Sequence, residues 1–289
     1  MIGWLIYQKV DAIQNRSYID WFIEEAQQQH VELKLIYRED LTIGLNNHKP
    51  VVRIAAVKDT LPDFVVNRSI EPIIQHFFTS WNIPIFNPVD TAKIVNDKAL
   101  THLELSKLNI PMLPTFFIQG HALTENAPLD YPFIIKSVTG RGGKEVCLLE
   151  SEKNWQTFKR ECKNQSYIAQ PTNVQKGKDL RVFVIGKEII AAVLRHNETD
   201  FRANFKLGGK AIPYQLSESE IKLIHKIIGH FQFGLVGIDF LLDHDGNLLF
   251  NEIEDVVGSR ILSETSDINL LAEYVTFIKK TIHEKEEAT

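Results

Sequence analysis

The feature that most constrains the fold is a pair of apolar runs separated by a short polar segment. Val236–Leu242 and Leu248–Ile253 have the length and composition of β-strands, and residues 243–247, Asp-His-Asp-Gly-Asn, have the composition of a turn. The turn shares residues with a calcium-binding loop, but it is short and lacks the downstream glutamate that such a loop requires. The sequence therefore predicts an antiparallel hairpin.

Three carboxylates interrupt the apolar pattern of this hairpin. Asp239 lies on the first strand, whereas Glu252 and Glu254 lie two residues apart on the second, so the side chains of the two glutamates share a face. A hairpin brings the three together, and such like charges repel one another unless a cation compensates them. Carboxylate oxygens suit Mg²⁺ or Mn²⁺. The pattern favours a metal site, and the alternative is a solvent-exposed hairpin face with scattered acids.

A glycine-rich segment follows another predicted strand. Phe133–Lys136 reads as a strand that ends in lysine, and Gly140-Arg141-Gly142-Gly143-Lys144 comes soon after it. Loops of this kind leave backbone N–H groups free to close over phosphates, and lysine adds a compact positive charge. The segment lacks the Gly-Lys-Ser/Thr sequence that opens the helix of a Walker loop, which excludes that class of nucleotide site.

Arginines are frequent in the part of the chain that follows residue 178. Arg181 and Arg195 lie on two predicted strands, Leu180–Ile185 and Glu188–Leu194, which flank the hairpin signal Gly186-Lys187. Arginine side chains bind carboxylate and phosphate oxygens bidentately, which favours an anion-binding role. The alternative is a set of ordinary surface arginines. Two further polar residues of this region are Arg202 and Asn204.

The order of the predicted elements divides the chain into three segments. Residues 1–90 alternate between strands and helices, as in an α/β layer, and the turn signal Asn87-Pro88 marks their end. Residues 91–172 and 173–289 each combine helices with hairpin strands, which predicts two α+β modules. The main predicted helices are 17–29, 71–81, 97–108, 152–161, 217–231 and 268–283.

Composition excludes several classes of protein. The chain has 289 residues, with 32 Lys and Arg against 37 Asp and Glu, and a formal net charge of −5, which argues against non-specific nucleic-acid binding. Cys147 and Cys162 form no CxxC pair, which argues against a disulfide framework or a zinc site. No apolar run reaches the ~20 residues of a membrane span. We therefore expect a cytoplasmic protein with no nucleic-acid or membrane partner.

Taken in order, these segments resemble the ATP-grasp superfamily, most closely the RimK-like amino-acid ligases. The resemblance extends from Val95 to Ile278 and rests on the number, order and spacing of the matching segments. It implies an ATP-grasp fold with an N-terminal α/β pre-ATP-grasp domain (1–90), a central α+β lid domain (91–172) and a C-terminal α+β domain (173–289). The matching segments are 96–98, 133–136 with the glycine-rich loop, 179–184, 191–195, 201–205 with 208–209, 237–239 and 251–254.

The resemblance also implies roles for individual residues. Lys98 and Lys136 are the two lysines expected to bind ATP phosphates, and Gly140, Gly142 and Gly143 are the loop glycines expected to cover them. The hinge residues expected to hold adenine are Gln170, Pro171 and Thr172. Asp179 is the residue expected near the ribose. The expected metal ligands are Asp239, Glu252 and Glu254. The residues expected to hold the reacting carboxylate and the transferring phosphate are Arg181, Arg195, Arg202 and Asn204.

The chain departs from the family pattern beside the expected metal site. Glu254 stands where the family usually has asparagine, a neutral ligand, so this chain carries an additional negative charge there. Residues 255–260, Asp-Val-Val-Gly-Ser-Arg, replace a stretch that usually contains small residues and proline. Arg260 is a candidate contact for a second anionic substrate, and an ordinary surface position is the alternative.

The resemblance implies an ATP-dependent ligase that joins a carboxylate to an amine through an acyl phosphate and releases ADP and phosphate. The implied cofactors are ATP with Mg²⁺ or Mn²⁺, and the implied substrates are small carboxylates and amines such as glutamate or a small peptide; a homo-oligomer is left open. Two other functions remain open: a kinase with a hydroxyl acceptor, and a nucleotide-binding subunit without activity.

Overall fold

The computed structural model describes residues 1–55, 57–143, 145–198, 200 and 210–287. Its N-terminal part contains a four-stranded parallel sheet in the order β2-β1-β6-β7 and a small antiparallel sheet in the order β3-β4-β5. The elements are β1 (Ile2–Tyr7), α1 (Lys9–Gln14), α2 (Arg16–Gln28), β2 (Glu32–Tyr37), β3 (Leu41–Asn46), β4 (Lys49–Ile54), β5 (Val57–Lys58), β6 (Phe64–Asn67), α3 (Pro72–Ser80) and β7 (Ile85–Phe86).

The central part folds around a four-stranded antiparallel sheet in the order β10-β9-β11-β8. The helix Glu152–Glu161 closes one face of this sheet, because its Trp155 is 1% exposed and lies against Phe133 of the sheet, with 6.3 Å between the ring centroids. The elements are α4 (Val89–Val95), α5 (Lys98–Ser106), β8 (Phe116–Gln119), β9 (Phe133–Ser137), β10 (Val146–Leu149), α6 (Glu152–Glu161) and β11 (Ser166–Pro171).

The C-terminal part is built on a five-stranded antiparallel sheet in the order β14-β13-β12-β15-β16. The Ser217 hydroxyl accepts from the Glu220 N–H, and the Glu220 carboxylate accepts from the Ser217 N–H, so the predicted capping box starts its first helix. The elements are β12 (Lys178–Ile185), β13 (Glu188–His196), β14 (Lys210–Pro213), α7 (Glu218–His230), β15 (Leu235–Leu242), β16 (Leu248–Glu254), α8 (Arg260–Thr265) and α9 (Leu270–Glu287).

The N-terminal and C-terminal parts share one hydrophobic core, whereas the central sheet has a core of its own. Helix α9 packs on α2, where the rings of Phe22 and Tyr274 lie 5.6 Å apart, and Leu5 belongs to the same cluster as Phe183. Because the central sheet does not share that core, one of its faces is left available to form a cleft against the C-terminal sheet.

The structure confirms the predicted mixture of α/β and α+β architecture. Helix α6 has the predicted bounds, and the predicted strand Phe133–Lys136 corresponds to β9, which extends one residue further to Ser137. Short elements account for most differences. Asn87-Pro88 reads as a turn, yet Pro88 is the N-cap of α4, because its fixed backbone angle suits a helix start. The bounds of the three predicted domains stay predictions.

Candidate active site

An open cleft lies between the central sheet and the C-terminal sheet. Its atom-free space, part of which is open to solvent, is about 1090 Å³, which accommodates a small-molecule ligand. Apolar side chains from both sheets, including Ile134, Val146 and Leu241, form part of its walls. All the residues predicted to bind ATP line this single cleft: Lys98, Lys136, Gly140, Gly142, Gly143, Gln170, Pro171, Thr172 and Asp179.

Lys98 lies at one end of the cleft because it is the first residue of α5. The carboxylate of Asp97 caps this helix by accepting from a backbone N–H at 3.0 Å. The Lys98 ammonium group donates to the Gly140 carbonyl at 2.6 Å and forms an ion pair with Glu252 Oε2 at 2.9 Å. A helix N-terminus and an ammonium group both favour negative charge, so this end of the cleft suits phosphates.

Lys136 reaches the same end of the cleft from β9. Its ammonium group donates to Asn251 Oδ1 at 2.7 Å. Burial lowers the pKa of Lys136 to about 8, although attraction from Glu252 opposes this shift. The pairing register between β15 and β16 shifts after Asp239, which leaves Asn251 as the extra residue of a β-bulge. A bulge of this kind re-aims a side chain, and a strictly alternating strand pattern does not reveal it.

Gln170, in the predicted hinge, is directed into the protein. Its amide group donates to Thr115 Oγ1 at 2.9 Å and lies 3.1 Å from His102 Nε2, while His102 Nδ1 lies 2.8 Å from the Lys98 carbonyl. These partners match a neutral imidazole with its proton on Nδ1. Burial lowers the pKa of His102 to about 4, which keeps the ring neutral at pH 7. The side chain of Gln170 therefore braces β11 against α5.

The two predicted arginines of the C-terminal sheet lie in a buried array of charges. Strand pairing places Arg181 opposite Asp239 and Asp179 opposite Arg195. Arg181 binds Asp239 bidentately at 2.8 and 2.7 Å, and Arg195 binds Asp179 bidentately at 2.5 and 2.7 Å. Arg195 also donates to Asp239 at 2.8 Å. Both arginines are thus occupied by carboxylates of the protein itself.

The two aspartates of this array differ in their electrostatics. Burial raises the pKa of Asp179, and the attraction of Arg195 offsets this only in part. Burial would raise the pKa of Asp239 as well, but Arg181 and Arg195 together lower it to about 2. The difference arises because Asp239 accepts hydrogen bonds from both guanidinium groups, which makes it the fixed negative centre of the array.

The three predicted metal ligands lie near one another with different partners. Asp239 lies opposite Glu252 in the sheet but is held by the arginines, whereas Glu252 pairs with Lys98 and lines the cleft. Glu254 Oε2 lies 2.6 Å from Arg181 Nη2 as an ion pair, without hydrogen-bond geometry. Within the described residues, no three acidic, histidine or cysteine side chains form a ready-made metal site.

The comparisons with known proteins agree with this geometry. The family model of the RimK-like ATP-grasp domain matches residues 95–278. The chain belongs to the RimK-like ATP-grasp family. The alpha-aminoadipate–LysW ligase LysX of Saccharolobus solfataricus is 28% identical over 277 residues, which cover 89% of this chain and 97% of the relative. A probable alpha-L-glutamate ligase of Legionella pneumophila is 30% identical over 187 residues, which cover 61% of this chain and 60% of the relative.

A solved structure extends the similarity to the whole chain. The crystal structure of a RimK-domain ATP-grasp protein from Sphaerobacter thermophilus aligns with a TM-score of 0.74, at 16% identity, over 96% of this chain and 99% of that chain. The N-terminal part therefore belongs to the ATP-grasp fold as well. The protein is an enzyme, an ATP-grasp ligase that forms C–N bonds, and its family uses ATP.

A second, smaller cavity of this ATP-grasp ligase adjoins the cleft. Its atom-free space, partly open to solvent, is about 350 Å³. It shares four lining residues with the cleft: Lys98, Gly140, Gly142 and Glu252. Its other polar lining residues are Asn96, Thr139, Arg141, Glu254 and Asp255. The two cavities therefore meet at Lys98, Glu252 and the glycine-rich loop.

Sequence reasoning missed several of the residues that organise this ATP-grasp site. Asn251 binds a lysine of the cleft, and Asp255 accepts hydrogen bonds from Asn87 and Asn96. Only the position of Asn251 and Asp255 on either side of the glutamates hinted at a role. Asn87 gave no signal, because it lies in an apparent turn far from the motifs.

Within the described residues, four of the predicted residues line neither cavity: Arg181, Arg195, Asp239 and Arg260. Arg202 and Asn204 lie outside the described residues. Arg260 is an exposed residue at the start of α8 and lines neither cavity. Within the described residues, no helix has the length and apolar character needed to cross a membrane.

Proposed function

We propose that this ATP-grasp ligase joins the carboxylate of an amino acid or small peptide to an amine through an acyl phosphate. The observation that carries the proposal is the junction of the two cavities. The cleft lined by the predicted ATP residues ends at Lys98 and Glu252, and the second cavity begins at the same two residues. A carboxylate bound in the second cavity would lie next to the phosphate end of a nucleotide bound in the cleft.

In the proposed reaction, a carboxylate oxygen attacks the γ-phosphorus of ATP, and the bond to the β-phosphate oxygen breaks to release ADP. The amine nitrogen then attacks the carbonyl carbon of the acyl phosphate, the amide bond forms, and phosphate leaves as the nitrogen loses a proton. Lys98 and Lys136 would stabilise the negative charge that develops on the transferring phosphoryl group. No protein nucleophile is required.

The residues present fit a magnesium–nucleotide, and the donor chemistry supports this. Glu252 is a carboxylate with 33% of its side chain exposed, and it lines both cavities beside two lysines. Glu254 supplies a further hard oxygen and would join Glu252 in holding the ion, whereas Asp239, whose two oxygens accept from Arg181 and Arg195, would bind the ion only in exchange for those partners. When bound, Mg²⁺ would neutralise phosphate charge, and Mn²⁺ accepts the same ligands. Arg181 at present supplies positive charge to both Asp239 and Glu254.

The arginine array would keep the C-terminal sheet neutral and rigid beneath the reacting groups. Because Arg181 and Arg195 are both occupied by carboxylates, their proposed role is to fix the position of Asp239. The roles that resemblance assigns to Arg202 and Asn204 stay proposals for residues outside the described part of the chain.

An acidic amino acid is the substrate class that we propose. The names of the two relatives specify alpha-aminoadipate and alpha-L-glutamate, both of which carry a second carboxylate. Glutamate, or a peptide that contains it, is therefore the first substrate to try.

The test is a screen of purified protein with ATP and Mg²⁺ against pairs of amino acids and small peptides. Phosphate release together with a new amide mass would support the ligase. A stable phosphoester without free phosphate would identify a kinase instead. Tight ATP binding without ADP formation for every pair would identify a nucleotide-binding subunit.

A matched pair of variants links the product to the cleft. Glu252→Gln should reduce phosphate release by about 100-fold or more, because the carboxylate at the junction of the two cavities is lost. Asp245→Asn, in the exposed turn between β15 and β16, should behave like the wild type. If the two variants were equally active, the proposed location of the active site would be wrong.

A further inference from the structure

Two of the three arginines that resemblance assigns to the reacting carboxylate and the transferring phosphate, Arg181 and Arg195, are already occupied in the structure, and the third, Arg202, lies outside the described residues. Arg181 and Arg195 are 8% and 3% exposed, and each binds carboxylates of the protein. Arg68, a third arginine of this region, is 7% exposed and donates to the Val257 carbonyl at 3.0 Å. Breaking a buried ion pair to bind a substrate is costly, so among the described residues a group that recognises a substrate carboxylate has to be sought away from these buried arginines.

Arg141 is a different kind of arginine. It is exposed, it lies on the glycine-rich loop, and it lines the second cavity but not the nucleotide cleft. Gly140 and Gly142 on either side of it line both cavities. The loop thus presents backbone to both cavities and the Arg141 side chain to the second cavity.

A network of hydrogen bonds holds the Arg141 guanidinium in this place. Its Nη2 donates to the side-chain oxygen Oδ1 of Asn96. The side-chain nitrogen Nδ2 of Asn96 in turn donates to Asp255 Oδ2 at 2.7 Å. The other oxygen of Asp255 accepts from Asn87. Asp255 is 6% exposed, and the hydrogen bonds from the side-chain amides of Asn87 and Asn96 fix its orientation and that of Asn96. Within the described residues, Arg141 makes no ion pair.

Of the two cations among the described residues that line the second cavity, Lys98 is paired with Glu252, whereas Arg141 makes no ion pair. Glu252 is paired with Lys98, and Glu254 is paired with Arg181. The carboxylates of Asp255, Glu254 and Glu252 attract Arg141, but within the described residues its hydrogen bond goes to the neutral side-chain amide of Asn96. A planar guanidinium with several unused N–H donors matches a carboxylate in a bidentate arrangement.

We propose that Arg141, held by Asn96 and Asp255, binds a carboxylate of the amino-acid or peptide substrate in the second cavity. The proposal rests on the ligase function proposed above. It assigns substrate recognition to the glycine-rich loop, so that substrate binding and the position of this loop over the phosphates are linked. Asn96 acts through Arg141 and is a positioning residue.

The test compares wild type with Arg141→Gln and Arg141→Lys in two assays. The first assay measures the dissociation constant of a non-hydrolysable ATP analogue with Mg²⁺, which we expect to change by less than about threefold because Arg141 lies outside the nucleotide cleft. The second assay measures KM for the best carboxylate of the screen, with L-glutamate as the first probe. For Arg141→Gln we expect KM for the carboxylate to rise about 10- to 100-fold, with a smaller change in kcat.

Two further variants separate recognition from general damage. Arg141→Lys should restore part of the affinity, because it keeps the charge but loses the bidentate fork. Asn96→Ala should raise the same KM by a smaller factor while the affinity for the ATP analogue stays unchanged. Arg160→Gln, an exposed arginine on α6, is the control and should match the wild type in both assays.

The possible outcomes are distinct. An unchanged carboxylate KM in Arg141→Gln overturns this assignment but leaves the ligase function intact. Weaker binding of the ATP analogue by about tenfold or more makes Arg141 a phosphate ligand instead, which also overturns it. A rise in carboxylate KM for Arg260→Gln but not for Arg141→Gln moves recognition to α8. A wild type that binds ATP yet produces no amide overturns the ligase function itself, and this assignment with it.

Discussion

The site contains two sets of cations that differ in how they are paired. Arg181 and Arg195 are buried in the C-terminal sheet and bind Asp179 and Asp239 bidentately. Lys98, Lys136 and Arg141 face the two cavities and bind mainly neutral oxygens of the protein. Lys98 adds one ion pair with a half-buried glutamate.

The difference indicates which cations support the fold and which meet ligands. A buried guanidinium with two carboxylates is part of the scaffold, since its removal leaves charges without compensation. A cation that faces a cavity and binds neutral oxygens exchanges those partners for phosphate or carboxylate at little cost. Residue type and sequence position do not separate the two sets, because both occur in motifs that resemble the same family.

The largest effect on stability is expected where the first set loses its shared carboxylate. Asp239→Asn would leave Arg181 and Arg195 with insufficient negative charge in a site where Asp239 is 1% exposed. We expect the free energy of unfolding to fall by about 3–5 kcal/mol. Urea denaturation measures this change, with Asp245→Asn as the exposed control. A loss equal to that of the control would mean that the array does not depend on Asp239.

The second set is expected to show the reverse pattern, with a large loss of activity and little loss of stability. Burial lowers the pKa of Lys136 to about 8, which means that the folded protein stabilises the charged lysine less than water does. Lys136→Met therefore removes no charge interaction that stabilises the fold as the ion pairs of the first set do. We expect kcat/KM for ATP to fall by about 100- to 1000-fold, with the free energy of unfolding within about 1 kcal/mol of the wild type. A strongly destabilised variant with normal kcat would place Lys136 in the scaffold.

The difference between the sets also explains how much of the site the sequence predicts. The strands carrying Lys136, Arg181 and Asp239 follow from apolar runs and turn signals, and the resemblance orders them into one cleft. The partner of each cation does not follow, because it depends on strand register. The bulge after Asp239 and the approach of Asn96 to the glycine-rich loop arise from contacts between residues far apart in the chain.

His102 makes the stability of the protein depend on pH. Its imidazole is kept neutral beside Lys98 and Lys136, the two lysines of the second set. Burial lowers the pKa of His102 from 6.5 to about 4, and repulsion from Lys136 acts in the same direction. Between these values the unfolded chain binds more protons than the folded protein. Stability should therefore be complete above pH 6.5 and fall by up to about 3 kcal/mol as pH drops towards 4.

Measurement of urea unfolding at several pH values, in the wild type and in His102→Gln, isolates this contribution. The glutamine keeps a polar side chain at the position but does not titrate. We expect the difference in the free energy of unfolding between the two proteins to narrow as pH falls from 6.5 to 4. A difference that is constant over this interval would show that His102 is not the group responsible.

The smallest effect is expected when charge is kept and only the geometry of the first set changes. Arg181→Lys retains a positive charge between Asp239 and Glu254 but cannot reproduce the two parallel hydrogen bonds at 2.8 and 2.7 Å. We expect a loss of about 1–2 kcal/mol in the free energy of unfolding, less than in Asp239→Asn. Arg181→Met, which removes the charge as well, is the matched comparison. If the lysine and methionine variants are equally unstable, the bidentate geometry rather than the charge holds the array together, and the same reasoning would then favour geometry over charge for the carboxylate at Arg141.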